Sequence, residues 1–439
     1  MANTYLILGM GKSGQAAAKW LQARGTKVLT LDDHSPTKST VTLNNIPWND
    51  IAAVIQSPGV PYTFPAPHPI TAMAQARNIP ILTDINLLQQ AHPKARFVGI
   101  TGTNGKSTTT ALIGHILSHS GHPCSVGGNI GVPVLSLPPL KENETYVLEL
   151  SSFQLEVSAL LNLDVAGWLN ITPDHLDRHG SLENYIAEKK KIFLKAHNAV
   201  INLDDEFSLQ VCQYFKNKGK VVVGVSCTQQ TDIYVERGIF YDNQNAVIDL
   251  SLIESLQGLH NYQNAATAYA VCKLLNVPAA DIAEAFKTFS GLAHRQEIVG
   301  RFKNITFVND SKATNAEATI HAFNRYANQA IYWIAGGRPK SQGIHPLKDF
   351  FSNIRHVFLI GEAQNDFAKT LDGSMPYTLS GNLDKALTDA FEMILKNATD
   401  QPAVILLSPA CASYDQFQSF EHRGDVFRTL VTQLIESYI

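Results

Sequence analysis

Cysteine is scarce in this chain and poorly placed for cross-linking. Cys124, Cys212, Cys227, Cys272 and Cys411 are odd in number, scattered, and form no Cys-x-x-Cys pair. That pattern argues for reduced thiols in the cytoplasm rather than a disulfide framework or a thiolate zinc site. An excess of charge of either sign is also missing. With 17% charged residues and a formal net charge of -3, bulk electrostatics point to no nucleic acid and no anionic membrane as partner. No apolar run reaches membrane-spanning length, so membrane insertion is not expected. Met1-Ala-Asn-Thr-Tyr-Leu-Ile-Leu-Gly9 passes directly into a strand and a glycine turn, without the basic region and apolar stretch of a signal peptide.

What is present suits a multidomain α/β enzyme. At roughly 150 residues per domain, 439 residues give a prior of about three domains. Short apolar runs such as Tyr5-Leu-Ile-Leu8, Val28-Leu-Thr-Leu31 and Ala52-Ala-Val-Ile55 alternate with helical stretches, the beat of a parallel sheet. A second series begins at Arg96-Phe-Val-Gly-Ile100, after the polar, proline-bearing Ala91-His-Pro-Lys94, and a third follows Ser290-Gly-Leu-Ala-His-Arg295. The expected division is an N-terminal Rossmann-like domain over 1–90, a central P-loop ATPase-like domain over 91–291, and a C-terminal Rossmann-like α/β domain over 292–439.

The strongest local signal is Gly99-Ile-Thr-Gly-Thr-Asn-Gly-Lys-Ser-Thr-Thr-Thr110, between a strand and a helical run. Gly102 and Gly105 let backbone N–H groups turn inward around phosphate oxygens, with Thr103 and Asn104 between them. Lys106 brings charge to the outer phosphates, and Ser107 or Thr108 can reach Mg²⁺. The strict phosphate-loop pattern is broken by Ile100, which stands five residues before Gly105 where glycine is usual. A second glycine turn, Gly9-Met-Gly11-Lys12-Ser13-Gly14, follows the first strand, and Asp32 and Asp33 end the next. In isolation that motif favours a dinucleotide.

Further on, Glu149 closes the apolar run Tyr146-Val-Leu148, and His175 stands among carboxylates in Thr172-Pro-Asp-His-Leu-Asp-Arg178-His179. Such residues at strand ends suit metal or phosphate chemistry. Ser181 is placed to cap a helix carrying Lys189, Lys190 and Lys191. Asn261 and Asn264 lie one helical turn apart.

Gly102-Thr-Asn-Gly-Lys-Ser-Thr108 after an apolar strand resembles the signature of the Mur ligases and folylpolyglutamate synthetases. Within the Mur ligases, Gly127-Gly-Asn-Ile-Gly131, Leu148-Glu-Leu-Ser-Ser-Phe-Gln-Leu-Glu156, Asn170-Ile-Thr-Pro-Asp-His-Leu-Asp-Arg178 and Ser408-Pro-Ala-Cys-Ala-Ser413 are similar, in order, to blocks of the D-glutamate-adding branch. No Asp-Asn-Pro-Arg block like that of the diaminopimelate- or lysine-adding branch is found. The resemblance implies ATP-dependent amide formation through an acyl phosphate, with UDP-N-acetylmuramoyl-L-alanine and D-glutamate as substrates. It places the activity in peptidoglycan precursor synthesis, in a protein expected to be a monomer.

The resemblance further implies two Mg²⁺ sites drawing on Ser107, Glu149, His175 and a carbamylated Lys189, with Lys190 and Lys191 left open as alternatives. Asn129 would lie near the substrate carboxylate. Asn264, Arg295 and Asp310 would meet the nucleotide. Gly11, Lys12, Ser13, Asp32, Asp33, Ser57, Pro58 and Gly59 would receive the UDP moiety. Lys312, Thr314, Lys340, Ser413 and Phe420 would hold D-glutamate, although Gly336-Gly-Arg-Pro-Lys340 does not decide which basic group faces the pocket. The other readings weighed are another Mur ligase or a folylpolyglutamate synthetase, an NAD-dependent dehydrogenase resting on residues 9–14, and a P-loop binding module without ligation.

Overall fold

The computed structural model describes residues 3–158, 161–339, 343–397 and 401–438. It contains nineteen strands among the described residues: β1 (Thr4–Leu8), β2 (Lys27–Leu31), β3 (Ile51–Gln56), β4 (Ile81–Leu82), β5 (Arg96–Thr101), β6 (Cys124–Gly128), β7 (Thr145–Glu149), β8 (Asn162–Trp168), β9 (Lys195–Asn202), β10 (Val222–Ser226), β11 (Ile233–Glu236), β12 (Ile239–Asp242), β13 (Asn245–Asp249), β14 (Glu297–Phe302), β15 (Ile305–Asn309), β16 (Ala330–Gly336), β17 (Ile354–Ile360), β18 (Tyr377–Gly381) and β19 (Ala403–Leu407). They form three sheets, and contact density divides the chain into two compact units, Met1–Phe289 and Ser290–Ile439.

The first unit holds two sheets. One is four-stranded and parallel, in the order β2-β1-β3-β4. The other has nine strands in the order β13-β12-β11-β10-β9-β8-β5-β7-β6, parallel except for the terminal β11-β12-β13 meander. Strand β7 is buried along its whole length and β5 along nearly all of it. Continuous burial is expected where helices cover both faces of a parallel sheet. The helices Lys106–His119 and Leu259–Leu274 pack over one face, adding Leu112, Ile113, Ala266 and Val271 to a core with Val98 and Val147.

One apolar cluster runs across both sheets of this unit. Ile7, Met10, Ala17 and Leu21 from the four-stranded part share it with Phe97, Val134, Leu135 and Tyr146 from the nine-stranded part. The helix Lys12–Gln22 and the short turn Val134–Ser136 meet directly there.

Strand order positions the site. Because β5 lies between β8 and β7, the chain leaves it in opposite lateral directions, and ligands of open α/β sheets bind beyond the carboxyl ends of strands at such a switch point. The phosphate loop follows β5, Glu149 ends β7, and Asn170 comes shortly after β8. Within the second unit, β14-β15-β19-β16-β17-β18 form a six-stranded sheet in which only β14 runs antiparallel to its neighbour. Its two faces are covered by clusters centred on Trp333 and Phe323 on one side and on Phe307, Phe391 and Phe427 on the other.

Candidate active site

The phosphate loop is shaped by Gly105 and by two asparagines, Asn264 and Asn170. Gly105 caps the helix Lys106–His119 at φ +83°, a conformation that disfavours a side chain. A Cβ there would also lie 2.2 Å from Asn264 Oδ1. Asn264, buried on its own helix, accepts a hydrogen bond from Thr109 Oγ1 at 3.2 Å, so the expected nucleotide contact packs against the loop's backbone. Asn170 braces the loop from the other side: its Oδ1 accepts from Asn104 N–H at 2.8 Å and its backbone carbonyl from Thr103 N–H at 2.9 Å.

Two lysines converge on one loop carbonyl. Lys106 Nζ donates to Gly102 O at 3.0 Å and to Thr103 O at 2.8 Å. Lys189 Nζ donates to the same Gly102 O at 2.8 Å and to Thr101 Oγ1 at 3.3 Å, with the Tyr185 ring centroid 4.8 Å away. Lys189 is only 2% exposed. Burial first, and the Lys106 charge second, hold its pKa well below the usual lysine value, favouring the neutral amine. Ser181 caps the helix Leu182–Lys190 that carries it, accepting from Asn184 N–H. The two neighbouring lysines point elsewhere: Lys190 Nζ lies 3.7 Å from the Tyr214 ring centroid, and Lys191 pairs with Glu188 at 2.5 Å.

At the end of β7, the Glu149 carboxylate is 2% exposed and bridges two elements. It accepts from Ser107 Oγ at 2.7 Å and from Asn129 Nδ2 at 2.9 Å. The backbone tightens the same junction, since Asn129 N–H donates to Glu149 O at 2.9 Å and a Cβ on Gly128 would stand 2.3 Å from that oxygen. Thr108, the third residue of the helix Lys106–His119, is buried. His175 is exposed, in the left-handed region at φ +52°, with its ring 4.9 Å from that of Phe153 and its Nε2 3.4 Å from Asp174 Oδ2. Among the described residues it hydrogen-bonds neither Glu149 nor Lys189. Tyr185 connects these groups, facing His175 at 6.4 Å and meeting Thr103 Oγ1 at 3.2 Å through its hydroxyl. Burial pushes the Tyr185 phenol up to about 12.

In the four-stranded part, the groups expected to receive UDP shape one another. A Cβ on Gly14 would lie 1.9 Å from Gly9 O, and Ser57 Oγ donates to that carbonyl at 2.7 Å. Asp32 accepts from the N–H groups of Met10, His34 and Ser35, and these bonds, that of Met10 foremost, hold its carboxyl below the usual range. Asp33 is exposed and meets His68 Nε2 at 2.8 Å. Gly11 and Lys12 open the first helix at the surface, Ser13 is half-buried, and Pro58 and Gly59 form the turn after β3.

In the second unit, Lys312 Nζ sits 5.9 Å from the Phe420 ring centroid, and Thr314 N–H donates to Lys312 O at 2.9 Å. Ser413 is buried on a loop whose Ala412 bridges to Arg338. Arg423, fully buried, ties these loops together through Ser311 Oγ at 2.9 Å and Cys411 O at 3.1 Å. Arg295 is exposed. Asp310 is buried, accepting from Ser408 Oγ at 2.8 Å and Gln296 N–H at 3.1 Å, and burial raises its carboxyl to about 7. Lys340 lies outside the described residues. Sequence reasoning assigned no role to Thr101, Asn170, Tyr185 or Arg423. Only the position of Asn170 just beyond an apolar strand offered a local signal.

The Mur ligase middle domain matches residues 100–272. A UDP-N-acetylmuramoylalanine–D-glutamate ligase of Rhodospirillum rubrum is 46% identical, over 98% of this chain and 94% of the relative. The enzyme of that name from Brucella abortus is 42% identical, over 98% and 96%. This chain belongs to that ligase family. Dependence on ATP and Mg²⁺ goes with membership. Among solved structures, the UDP-N-acetylmuramate–alanine ligase of Thermotoga maritima shares the fold with a TM-score of 0.59 at 18% identity, covering 98% of this chain and 99% of that one. MurF from Acinetobacter baumannii does so with a TM-score of 0.61 at 19% identity, over 80% and 79%.

Proposed function

We propose that this chain joins D-glutamate to UDP-N-acetylmuramoyl-L-alanine in peptidoglycan precursor synthesis, with ATP converted to ADP and phosphate. The observation that carries the reading is the buried Glu149 carboxylate fixed between Ser107 of the phosphate loop and Asn129. Carboxylate and hydroxyl oxygens are the hard donors Mg²⁺ takes when phosphate and water complete its shell, so these residues fit the cation. Ser107 and Glu149 would hold one Mg²⁺, and His175 with a carbamate on Lys189 a second. Mg²⁺ held there would supply positive charge against the transferring phosphoryl group.

The chain's own groups then divide the work. Backbone N–H groups of Gly102 to Lys106 cradle the phosphates, and Lys106 turns from the loop carbonyls toward the charge that grows as the substrate carboxylate attacks the γ-phosphorus. Burial and the Lys106 charge, by lowering the Lys189 pKa, favour the amine whose lone pair addition to CO₂ requires. Asn129 orients the carboxylate that attacks. The resulting acyl phosphate is opened by the D-glutamate amine, with phosphate leaving the tetrahedral intermediate. Lys312, Thr314, Ser413 and Phe420 would receive D-glutamate, with Lys340 an additional proposed cation. Arg295 and Asp310 are proposed for the nucleotide. The loop after β1, with Asp32, Asp33 and residues 57–59, would receive UDP.

Phosphate release measured over a panel of UDP-muramoyl precursors with D- and L-amino acids tests the reading. The expected result is turnover only with the L-alanyl precursor and D-glutamate together. Equal turnover with an L-amino acid, or with a longer peptidyl precursor, would reject it.

A further inference from the structure

The chain leaves β3 through Ser57, Pro58 and Gly59 and continues to Phe64, and this short stretch is gripped by side chains from far along the sequence. Glu156, on the helix Ser152–Val157, has a fully buried carboxylate. It accepts from Thr63 N–H at 3.1 Å and from the Thr63 hydroxyl. Arg178 places Nη2 2.6 Å from Glu156 Oε2 and Nη1 3.3 Å from Oε1. The same guanidinium donates to Val60 O at 3.3 Å and Phe64 O at 3.2 Å, and it lies 5.4 Å from the Phe153 ring centroid. Gly180, at φ +78°, completes the grip, since a Cβ there would stand 2.9 Å from the Phe64 ring.

We propose that the Glu156–Arg178 pair is a positioning element that locks the Val60–Phe64 segment, and with it the Ser57–Gly59 turn, to the segment carrying His175. It thereby sets how far the UDP-anchored substrate reaches toward the phosphate loop. This rests on the proposed function, in which residues 57–59 contact UDP and His175 serves the phosphoryl site.

Three features favour positioning over bulk stability. A buried ion pair gains little net stability over apolar residues of equal volume, so its charges by themselves are a poor reason for the arrangement. Its hydrogen bonds are directional, and those that reach outside the pair converge on Val60, Thr63 and Phe64, in a single five-residue stretch. Finally, Arg178 lies three residues beyond His175, so tilting the guanidinium tilts the loop that bears the histidine. For a substrate anchored at one end and reacting at the other, a displacement near 1 Å costs on the order of 100-fold in rate.

The test uses the full-length protein and steady-state kinetics. Arg178→Lys keeps the charge facing Glu156 but loses the planar fork that spans Val60 and Phe64. Thr63→Val, a milder change at the other end of the grip, serves should Arg178→Lys fold poorly. Either variant is expected to lose at least about tenfold in kcat/KM for UDP-N-acetylmuramoyl-L-alanine while KM for ATP changes less than about twofold. With a precursor trimmed of its uridine, variant and parent should differ by less than about threefold, because the anchor that the pair positions is gone. Equal losses with the full and trimmed precursors would overturn the proposal, as would a lowered melting temperature with unaltered kinetics. A parent protein that forms no amide would instead reject the function on which it rests.

Discussion

Lys106 and Lys189 donate to one acceptor, the carbonyl of Gly102, at 3.0 and 2.8 Å. Two ammonium groups sharing a single carbonyl in a buried place is unfavourable, and proton loss from the more deeply buried one relieves it. The arrangement therefore separates like residues: burial first, and the Lys106 charge second, lower the Lys189 pKa well below its ordinary value, which favours the amine at that position.

Replacing Lys106 by alanine is expected to lower kcat by about 10²–10³, the loss typical of removing one preorganised charge from a transition state. Phosphate release measures it, and a melting curve checks that the variant is folded. Turnover within about threefold of the parent would remove Lys106 from the chemistry.

Lys189→Ala is expected to be inactive and to regain part of its activity with formate or acetate, which stand in for the carbamate. A pH signature accompanies it. Between the lowered pKa of the folded state and the ordinary value of 10.5, the unfolded chain holds a proton that the folded chain lacks, so stability rises with pH across that window. Lys189→Met should flatten this rise in chemical denaturation. A slope unchanged from the parent would contradict the lowered pKa of Lys189.

Asp310 gives the opposite sign. Its carboxyl is raised to about 7 from 3.8, so from about pH 4 to pH 7 the folded state holds a proton that the unfolded state has released. Its contribution to stability is therefore greatest below pH 4 and declines up to pH 7. Asp310→Asn should abolish that decline, read as unfolding free energy against pH. A persisting decline of equal size would assign it to other groups.

Gly105→Ala combines a left-handed backbone with an approach of 2.2 Å to Asn264. A stability loss on the order of 2–4 kcal/mol is expected from the backbone and overpacking costs together, with a raised KM for ATP. Adding Asn264→Ala should recover the overpacking part alone. Full recovery would show that the φ of +83° carries no cost.

For the amino acid, Lys312→Ala should raise KM for D-glutamate by about 10- to 100-fold, the worth of one charged hydrogen bond, and leave KM for ATP nearly unchanged. L-glutamate should be a far poorer substrate, since inverting the α-carbon displaces the amine or one carboxylate. Equal rates for the enantiomers would count against this pocket.

How much of this was legible in the sequence follows from the range of each interaction. The phosphate loop, the strands before it and the cap at Ser181 are local patterns, readable from neighbouring residues. The choice of Lys189 among three adjacent lysines came from resemblance, and in the structure Lys189 alone of the three meets the phosphate loop while Lys190 faces Tyr214 and Lys191 pairs with Glu188. The nucleotide contact expected of Asn264 likewise came from resemblance, since two amides one turn apart on a helix do not by themselves distinguish a cap from a ligand. That it fills the space a Cβ on Gly105 would need is a fact of packing between helices remote in sequence. Thr63, Arg178 and Arg423 act through contacts to distant backbone carbonyls or carboxylates, for which no periodicity or motif exists.

The apolar cluster joining Ile7, Met10, Ala17 and Leu21 to Phe97, Val134, Leu135 and Tyr146 has a consequence for the order in which the chain is made. During synthesis the first sheet emerges before the residues that complete its core. Until the segment through Tyr146 has left the ribosome, helix Lys12–Gln22 keeps an apolar face in water, so the earliest stable intermediate includes part of the nine-stranded sheet. A nascent chain halted near residue 90 would be a substrate for holding chaperones and proteases, whereas one halted after the central sheet would resist both.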